Sequence, residues 1–321
     1  MSRFFKSVCI LLILCFGCDQ SFNPKADMQR QLVVFSVLSN DRDLQFVRVA
    51  TYYDVSGFDP SENKTDAALK DAKVSVAGST GILAFRDTVL LRLDSDRYTM
   101  PINAFVATSF RAEPGKRYDL LVACEGRSTA TASATLPDRP IISIYPGELV
   151  LQSPSSFDPR SRFSLRTTLS PFAKGSLCQL FIDYQVFQDA GWKDGRVEVP
   201  FEINADSLGI WVATYPKLTR VIGNATGVSF KVWTYTRMLQ KIYEKFEGKK
   251  LVITRAILRV FQCEQGYYDY FNIVNGFKDA VSIRVDEPEY TNINGGVGVF
   301  GAYTVDSLVY PLPSDWRTSL R

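Results

Sequence analysis

Pro114-Gly115-Lys116-Arg117-Tyr118-Asp119-Leu120-Leu121-Val122-Ala123-Cys124 decides how the chain is read. Tyr118, Leu120, Val122 and Cys124 fall on alternate positions, and Arg117 and Asp119 occupy the other set. Alternation of this kind marks a strand with one face in a core and the other toward water, and the Pro-Gly pair ahead of it is a turn signal. The same period continues outward over Leu32 to Leu38, Leu44 to Tyr53, Lys73 to Ala77, Ile82 to Phe85, Val89 to Leu93 and Ser128 to Leu136, with Gly, Pro, Asn and Asp between the runs. Short strands at regular spacing with turn signals between them predict an antiparallel sandwich. Leu136-Pro137-Asp138-Arg139-Pro140 ends the series, because closely spaced prolines stop both sheet pairing and helix. A domain boundary is placed there, giving a first domain over 31–137.

Pro114 to Leu120 resembles the tyrosine corner of immunoglobulin-like and fibronectin-like domains, in which a Tyr near a strand start hydrogen-bonds the preceding connection. An aromatic strand residue with no such role is the other reading of Tyr118. The remainder, 141–321, is again strand-rich: Arg162 to Leu169, Leu177 to Phe187, Arg196 to Ile203, Ile210 to Ala213, Val228 to Tyr235 and Leu251 to Phe261. Met238, Leu239, Ile242, Tyr243 and Phe246 recur at helical spacing, which predicts a helix near 237–247 with Thr236 as its cap and Gly248 as its stop. Tyr267, Tyr268, Tyr270, Phe271 and Val274 predict a second helix near 266–275. The expected fold is mainly β, an immunoglobulin- or fibronectin-like β-sandwich followed by a β-rich domain with two inserted helices.

The amino terminus reads as a targeting segment. Arg3 and Lys6 precede the unbroken apolar run Val8 to Phe16, too short for a membrane span, which takes about 20 apolar residues. Gly17-Cys18 resembles the cleavage site of bacterial lipoproteins, whose cysteine becomes the lipidated first residue; Cys15 and Phe16 depart from the Leu and small residue usual in that pattern. The expectation is a signal peptide over 1–17, lipid on Cys18 and a polar tether over 18–30. An ordinary signal peptide cut nearby, or an uncleaved anchor, is the alternative. Asp19 after the cysteine is compatible with inner-membrane retention and with surface export, so the leaflet stays open.

Composition narrows the chemistry. The 321 residues include no histidine, which excludes Ser-His-Asp and Cys-His pairs, H-E-x-x-H zinc sites and His-ligated haem. The formal charge of +3 falls to +1 once Arg3 and Lys6 leave with the signal, and no basic stripe suited to nucleic acid is visible. Of six cysteines, Cys124, Cys178 and Cys263 remain in the mature domains; inert core thiols and a Cys178 to Cys263 bridge are both open. Gly296-Val297-Gly298-Val299-Phe300-Gly301 satisfies G-x-G-x-x-G, yet the strand-like alternation of Ala302 to Tyr310 follows where a dinucleotide site needs a helix. The glycines are expected to permit a bulge, a turn or close packing at a sheet edge. Ser61-Glu62-Asn63-Lys64 reads as a solvated loop and Asp94-Ser95-Asp96 as a turn. Asp87-Thr88-Val89, Asp206-Ser207-Leu208 and Asp306-Ser307-Leu308 resemble O-glycosylation acceptor triplets of Bacteroidota envelope proteins. No catalytic residues, metal ligands or cofactor are expected.

Taken with the lipoprotein start, the Asp71 to Val76 strand, the Arg117 to Pro137 segment and the Tyr267 to Phe271 helix, the run Thr291-Asn292-Ile293-Asn294-Gly295-Gly296-Val297-Gly298-Val299-Phe300-Gly301-Ala302-Tyr303 looks like an uncharacterised Bacteroidota lipoprotein family. That family is catalogued as a domain of unknown function and is often encoded beside TonB-dependent outer-membrane receptors. The resemblance implies an outer-membrane lipoprotein with a role in uptake, as a non-enzymatic accessory or ligand-binding component, and it supplies no catalytic residues. Asn292, Asn294, Gly295, Gly296, Gly298 and Phe300 are the candidate contacts for a partner or ligand, with closure of a carboxy-terminal sheet as their other reading. A structural or adhesive surface module and a hydrolase using two carboxylates are the competing functions.

Overall fold

A computed structural model describes residues 31–51, 67–91, 101–144, 162–205, 210–276 and 290–310. Eight strands occupy the first part: β1 (Leu32–Ser39), β2 (Leu44–Thr51), β3 (Lys73–Gly78), β4 (Gly81–Ala84), β5 (Arg86–Leu90), β6 (Ile102–Thr108), β7 (Arg117–Ala123) and β8 (Ala130–Thr135). After β9 (Ile141–Ile144) and β10 (Arg162–Thr168) come the long hairpin β11 (Gly175–Gln188) and β12 (Gly191–Val199), then β13 (Glu202–Ala205), β14 (Trp211–Thr214), β15 (Thr219–Arg220) and β16 (Ala225–Lys231). Helix α1 (Val232–Lys245), β17 (Leu251–Cys263), helix α2 (Gln265–Gly276) and β18 (Gly296–Tyr310) complete the order. The chain is mainly β with two described helices, as its periodicity predicts.

A long nine-stranded sheet has the order β12-β11-β17-β18-β1-β2-β6-β5, and β15 pairs β11 beside that path. A four-stranded sheet, β4-β3-β7-β8, covers its first half. The core between them takes Leu32, Val34 and Leu38 from β1, Val47 and Val49 from β2, Val74 and Val76 from β3, Tyr118, Leu120 and Val122 from β7, and Phe300 and Ala302 from β18. The second half of the long sheet presents Cys178, Leu180 and Ile182 of β11 and Ala256, Leu258 and Val260 of β17 to a second core, which α1 closes with Tyr235, Met238, Leu239 and Ile242.

Both cores lie on one face of the long sheet, because β18 alternates with period two and its even-numbered residues serve each in turn: Phe300 and Ala302 the first, Leu308 and Tyr310 the second. Between the cores sit Gln262 and Thr304, paired across β17 and β18 and both fully buried. Their polar groups hold the connection between the two parts. Thr304 Oγ1 donates to the Pro137 carbonyl, Gln262 Nε2 donates to the Asp138 carbonyl, and the Ser170 amide donates to Gln262 Oε1 at 3.0 Å. Buried side chains are thereby matched to backbone groups that prolines leave without a ladder partner. The boundary placed at 137–141 falls in this connection, between β8 and β9, and the long sheet runs across it.

Several local expectations change. The sandwich is not wholly antiparallel: β1 pairs β18 in parallel, Leu32 opposite Gly296 through Ser39 opposite Tyr303. The Val228 to Tyr235 run turns from strand to helix at Val232, so α1 starts a turn earlier than its apolar spacing suggests. Thr236 is inside the helix and donates back to the Val232 carbonyl at 3.3 Å; the preceding Lys231 is the cap position and makes no side-chain capping bond. Arg196 to Ile203 splits into β12 and β13 around Pro200, which lacks the N–H a ladder needs. β6 escapes the alternation test because Ala104, Phe105, Val106 and Ala107 are all buried, on both faces. Cys124, Cys178 and Cys263 are all free and buried, so no Cys178 to Cys263 bridge forms. Residues 1–30, including Cys18, lie outside the described residues, as do Ser61 to Lys64, Asp94 to Asp96 and the Asp206 triplet.

Candidate functional site

The segment 290–303 is built from inward-facing bonds. Asn292 spends its amide on a single residue: Nδ2 donates to the Phe300 carbonyl at 2.8 Å and Oδ1 accepts the Phe300 amide at 2.9 Å. Asn294 uses its backbone to bridge Thr131 in both directions, at 2.8 and 2.9 Å, which ties the segment to β8. Gly295 has φ +77 and Gly298 φ +118, conformations costly for any other residue. A Cβ on Gly296 would reach the Leu32 carbonyl oxygen at 2.7 Å, and one on Gly298 would overlap that of Val34. These glycines therefore let β18 lie close against β1, in the middle of the long sheet and not at an edge. Phe300 is fully buried. Asn294 and Gly295 are the members of the proposed contact set that stand exposed.

On the opposite face α2 covers β18. Glu264, immediately before the helix, accepts the Gly266 amide at 2.6 Å and the Tyr267 amide at 2.8 Å, capping the first turn, and accepts the Ala302 amide of β18 at 3.2 Å. Burial pushes its carboxyl pKa up, against the pull of these three N–H donors. Aromatic rings fill the joint: Tyr303 lies 4.8 Å from Phe261 and 6.1 Å from Tyr267, and Phe35 packs 5.9 Å from Tyr270. A Cβ on Gly301 would touch that of Tyr267 at 2.9 Å, which places the last glycine of the run on this face.

A different site lies at the far end of the long sheet, where β11 meets β17 at an irregularity. Asp183 pairs Arg255 but Tyr184 pairs Ile253, leaving Thr254 as an extra residue. Thr254 Oγ1 donates to the Asp183 carbonyl at 3.0 Å. The Asp183 carboxylate, only 12% exposed, receives Arg196 Nε on Oδ1 at 2.6 Å and Arg196 Nη2 on Oδ2 at 2.9 Å, and Arg255 Nε on Oδ2 at 2.9 Å. The two guanidiniums are half exposed, at 50% and 53%. Hydrogen bonds from Arg196, then from Arg255, hold the Asp183 pKa below its ordinary value despite burial. Beside this triad Gln185 Nε2 donates to Asp194 Oδ1 at 2.8 Å. Gly195 leaves room for the Tyr184 ring, which rests on Phe246 at 5.7 Å. The triad lines a cleft of about 650 Å³ together with Tyr184, Gln185, Asp194, Gly195 and Thr254.

Sequence reasoning did not reach this cleft. Arg196 stands 13 and Arg255 72 residues from Asp183, and no local spacing joins them. Among the described residues no group of three or more Cys, Asp or Glu is placed to hold a metal ion. Desolvation raises the thiol pKa of Cys178 to about 11 and that of Cys263 further still, which disfavours their thiolates.

Fold and site define a mainly β protein with a continuous sheet, two cores and an arginine-lined cleft. The chain belongs to the family described as a domain of unknown function, DUF4249, whose model matches residues 19–308. No curated protein matches it. Among solved structures it is similar to the C-terminal globular domain of an oligosaccharyltransferase from Pyrococcus abyssi, at 11% identity and TM-score 0.23, covering 72% of this chain and 46% of that one. It is also similar to a DUF4785 family protein from Legionella pneumophila, at 9% identity and TM-score 0.20, covering 71% and 50%. The chain thus spans about half the length of each.

Proposed function

We propose that the protein is a lipid-anchored component of the bacterial cell envelope, attached through Cys18, that acts by binding and not by catalysis, as an accessory or ligand-binding part of a TonB-dependent outer-membrane uptake system. The anchor rests on Arg3, Lys6, the apolar run and Gly17-Cys18; the uptake role rests on the family resemblance. The observation that carries binding over catalysis is the state of Asp183 in the cleft. A carboxylate pair that hydrolyses glycosides needs one member with a raised pKa to donate a proton. Both Asp183 oxygens accept guanidinium N–H groups, Oδ1 from Arg196 and Oδ2 from Arg196 and Arg255, so the carboxylate is placed neither to donate that proton nor to attack as the free partner carboxylate. Glu264, whose pKa is raised, is engaged by three backbone amides beneath α2.

The test is isolation of the whole protein in mild detergent, with mass spectrometry of the amino-terminal peptide and of co-purifying proteins. Lipid on Cys18, release from membranes on Cys18→Ala, and a TonB-dependent receptor in the eluate are the expected results. Membrane retention of Cys18→Ala as the same anchored species overturns the anchor, and repeated isolation without any envelope protein overturns the uptake role.

A further inference from the structure

Arg196 and Arg255 are arranged as a receptor. A guanidinium carries five N–H donors in a planar fork. Arg196 uses its Nε and one Nη2 hydrogen on Asp183, and Arg255 uses its Nε on the same carboxylate. Arg196 is thus clamped along one edge and Arg255 is held through its Nε, while the remaining donors of both belong to side chains about half exposed. Arg196 is held further by the Phe181 ring, 5.4 Å from its central carbon. Asp183 can neutralise only one of the two, so the triad is left with one net positive charge.

We propose that the cleft binds a small ligand through an oxyanion, a carboxylate or a phosphate, received by the outward edges of Arg196 and Arg255. Three features carry this beyond a surface ion-pair network. The immobilisation that usually opposes arginine recognition is already met by Asp183, so the donors stand ready. A cleft of about 650 Å³ has the volume of a small-molecule site. The extra residue Thr254 anchors the Asp183 backbone, fixing the carboxylate that positions both guanidiniums. Asp194 adds selectivity. Its carboxylate borders the cleft with one oxygen bonded to Gln185, and it brings the whole site to neutrality. A bare anion is opposed there, whereas a ligand with hydroxyl donors beside its anionic group can satisfy Asp194 as well. The ligand class is accordingly a hydroxylated organic acid or phosphate ester. The inference does not depend on the anchor, since Cys18→Ala leaves the cleft untouched, so either can fail without the other.

Titration calorimetry of the full chain with D-glucuronate, glucose 6-phosphate and D-glucose tests it, the two anions separating carboxylate from phosphate. Saturable binding of at least one anion, with glucose at least tenfold weaker, is expected. Arg255→Gln should weaken that anion at least tenfold while retaining the wild-type circular dichroism, and Arg255→Lys should fall between. Arg237→Gln on α1, whose side chain pairs with Glu244, should bind as wild type. Asp194→Asn removes both the charge that opposes a bare anion and the acceptor for ligand hydroxyls, so it should tighten inorganic phosphate several-fold while shrinking the preference for the hydroxylated anions over it, a direction that a purely structural triad does not produce. Absence of saturable binding to both anions by the wild type, or unchanged affinity in both Arg255→Gln and Asp194→Asn, would overturn the proposal.

Discussion

Gly298→Ala separates the two readings of the glycine-rich run. The backbone at Gly298 has φ +118, where an L side chain is strained by about 1–3 kcal/mol. A Cβ there would also overlap the Val34 carbonyl oxygen and stand 2.9 Å from its carbon and 3.1 Å from the Val34 nitrogen, all of them backbone atoms. Backbone cannot rotate away as a side chain can, so β1 and β18 must part. Parting would weaken at least one ladder bond in a fully buried stretch, at about 1–3 kcal/mol for each group left unpaired. The expected loss is about 2–6 kcal/mol. Gly81→Ala is the control, because Gly81 has a similar φ of +123 with nothing within 4 Å of its would-be Cβ, leaving strain alone. Urea denaturation followed by far-ultraviolet circular dichroism reads both. A Gly298→Ala loss no larger than that of Gly81→Ala would refute the argument that close strand approach selects this glycine. A Gly298→Ala protein with wild-type stability and lost partner binding would instead assign the run to contact.

Three further outcomes follow from the same structure. Asp183 has its pKa lowered by Arg196 and Arg255, so the stability it contributes is present above its ordinary value of 3.8 and disappears as pH falls through the lower folded value. Burial raises Glu264 above its ordinary 4.5, so its effect has the opposite sign: stability is greatest below 4.5 and is lost as pH rises through the raised value. Urea midpoints across this range should show Asp183→Asn flattening the acid-side decline and Glu264→Gln removing the loss on the rising side; identical profiles would contradict both environments. Tyr118→Phe removes the oxygen that accepts the Glu113 amide at 2.8 Å while keeping the ring against Phe110, and should cost about 1 kcal/mol in the same denaturation assay. Iodoacetamide should leave Cys124, Cys178 and Cys263 unlabelled in the native protein and label all three after denaturation, as peptide mapping would report.

How far the chain could be read in advance depends on which contacts are local. Tyr118, Leu120 and Val122 declare a strand by period alone, and all three are buried as that period requires. The Tyr118 hydroxyl accepts the Glu113 amide in the connection before its strand, the contact that the resemblance to a tyrosine corner implies. Period says nothing about partners or direction. The parallel pairing of β1 with β18 joins the two ends of the described chain, and only tertiary packing selects it. The cleft was hidden for the same reason. Asp183, Gln185 and Arg196 look like solvated strand positions until a bulge at Thr254 and a third strand bring Arg255 beside them.

The spacing of the glycine motif has its own explanation in strand geometry. In a strand, residues two apart share a face and residues three apart lie on opposite faces. Gly296 and Gly298 approach the Leu32 and Val34 carbonyls of the neighbouring strand, whereas Gly301 points the other way and clears the Tyr267 side chain on α2. A strand pressed against a close parallel neighbour over two residues, and then covered by a helix on its outer face, needs small residues at offsets of two and three. That is the same sequence pattern a dinucleotide loop uses, reached here from sheet packing, and it explains why G-x-G-x-x-G stands at Gly296 to Gly301 with a strand, and not a helix, running on through Tyr310.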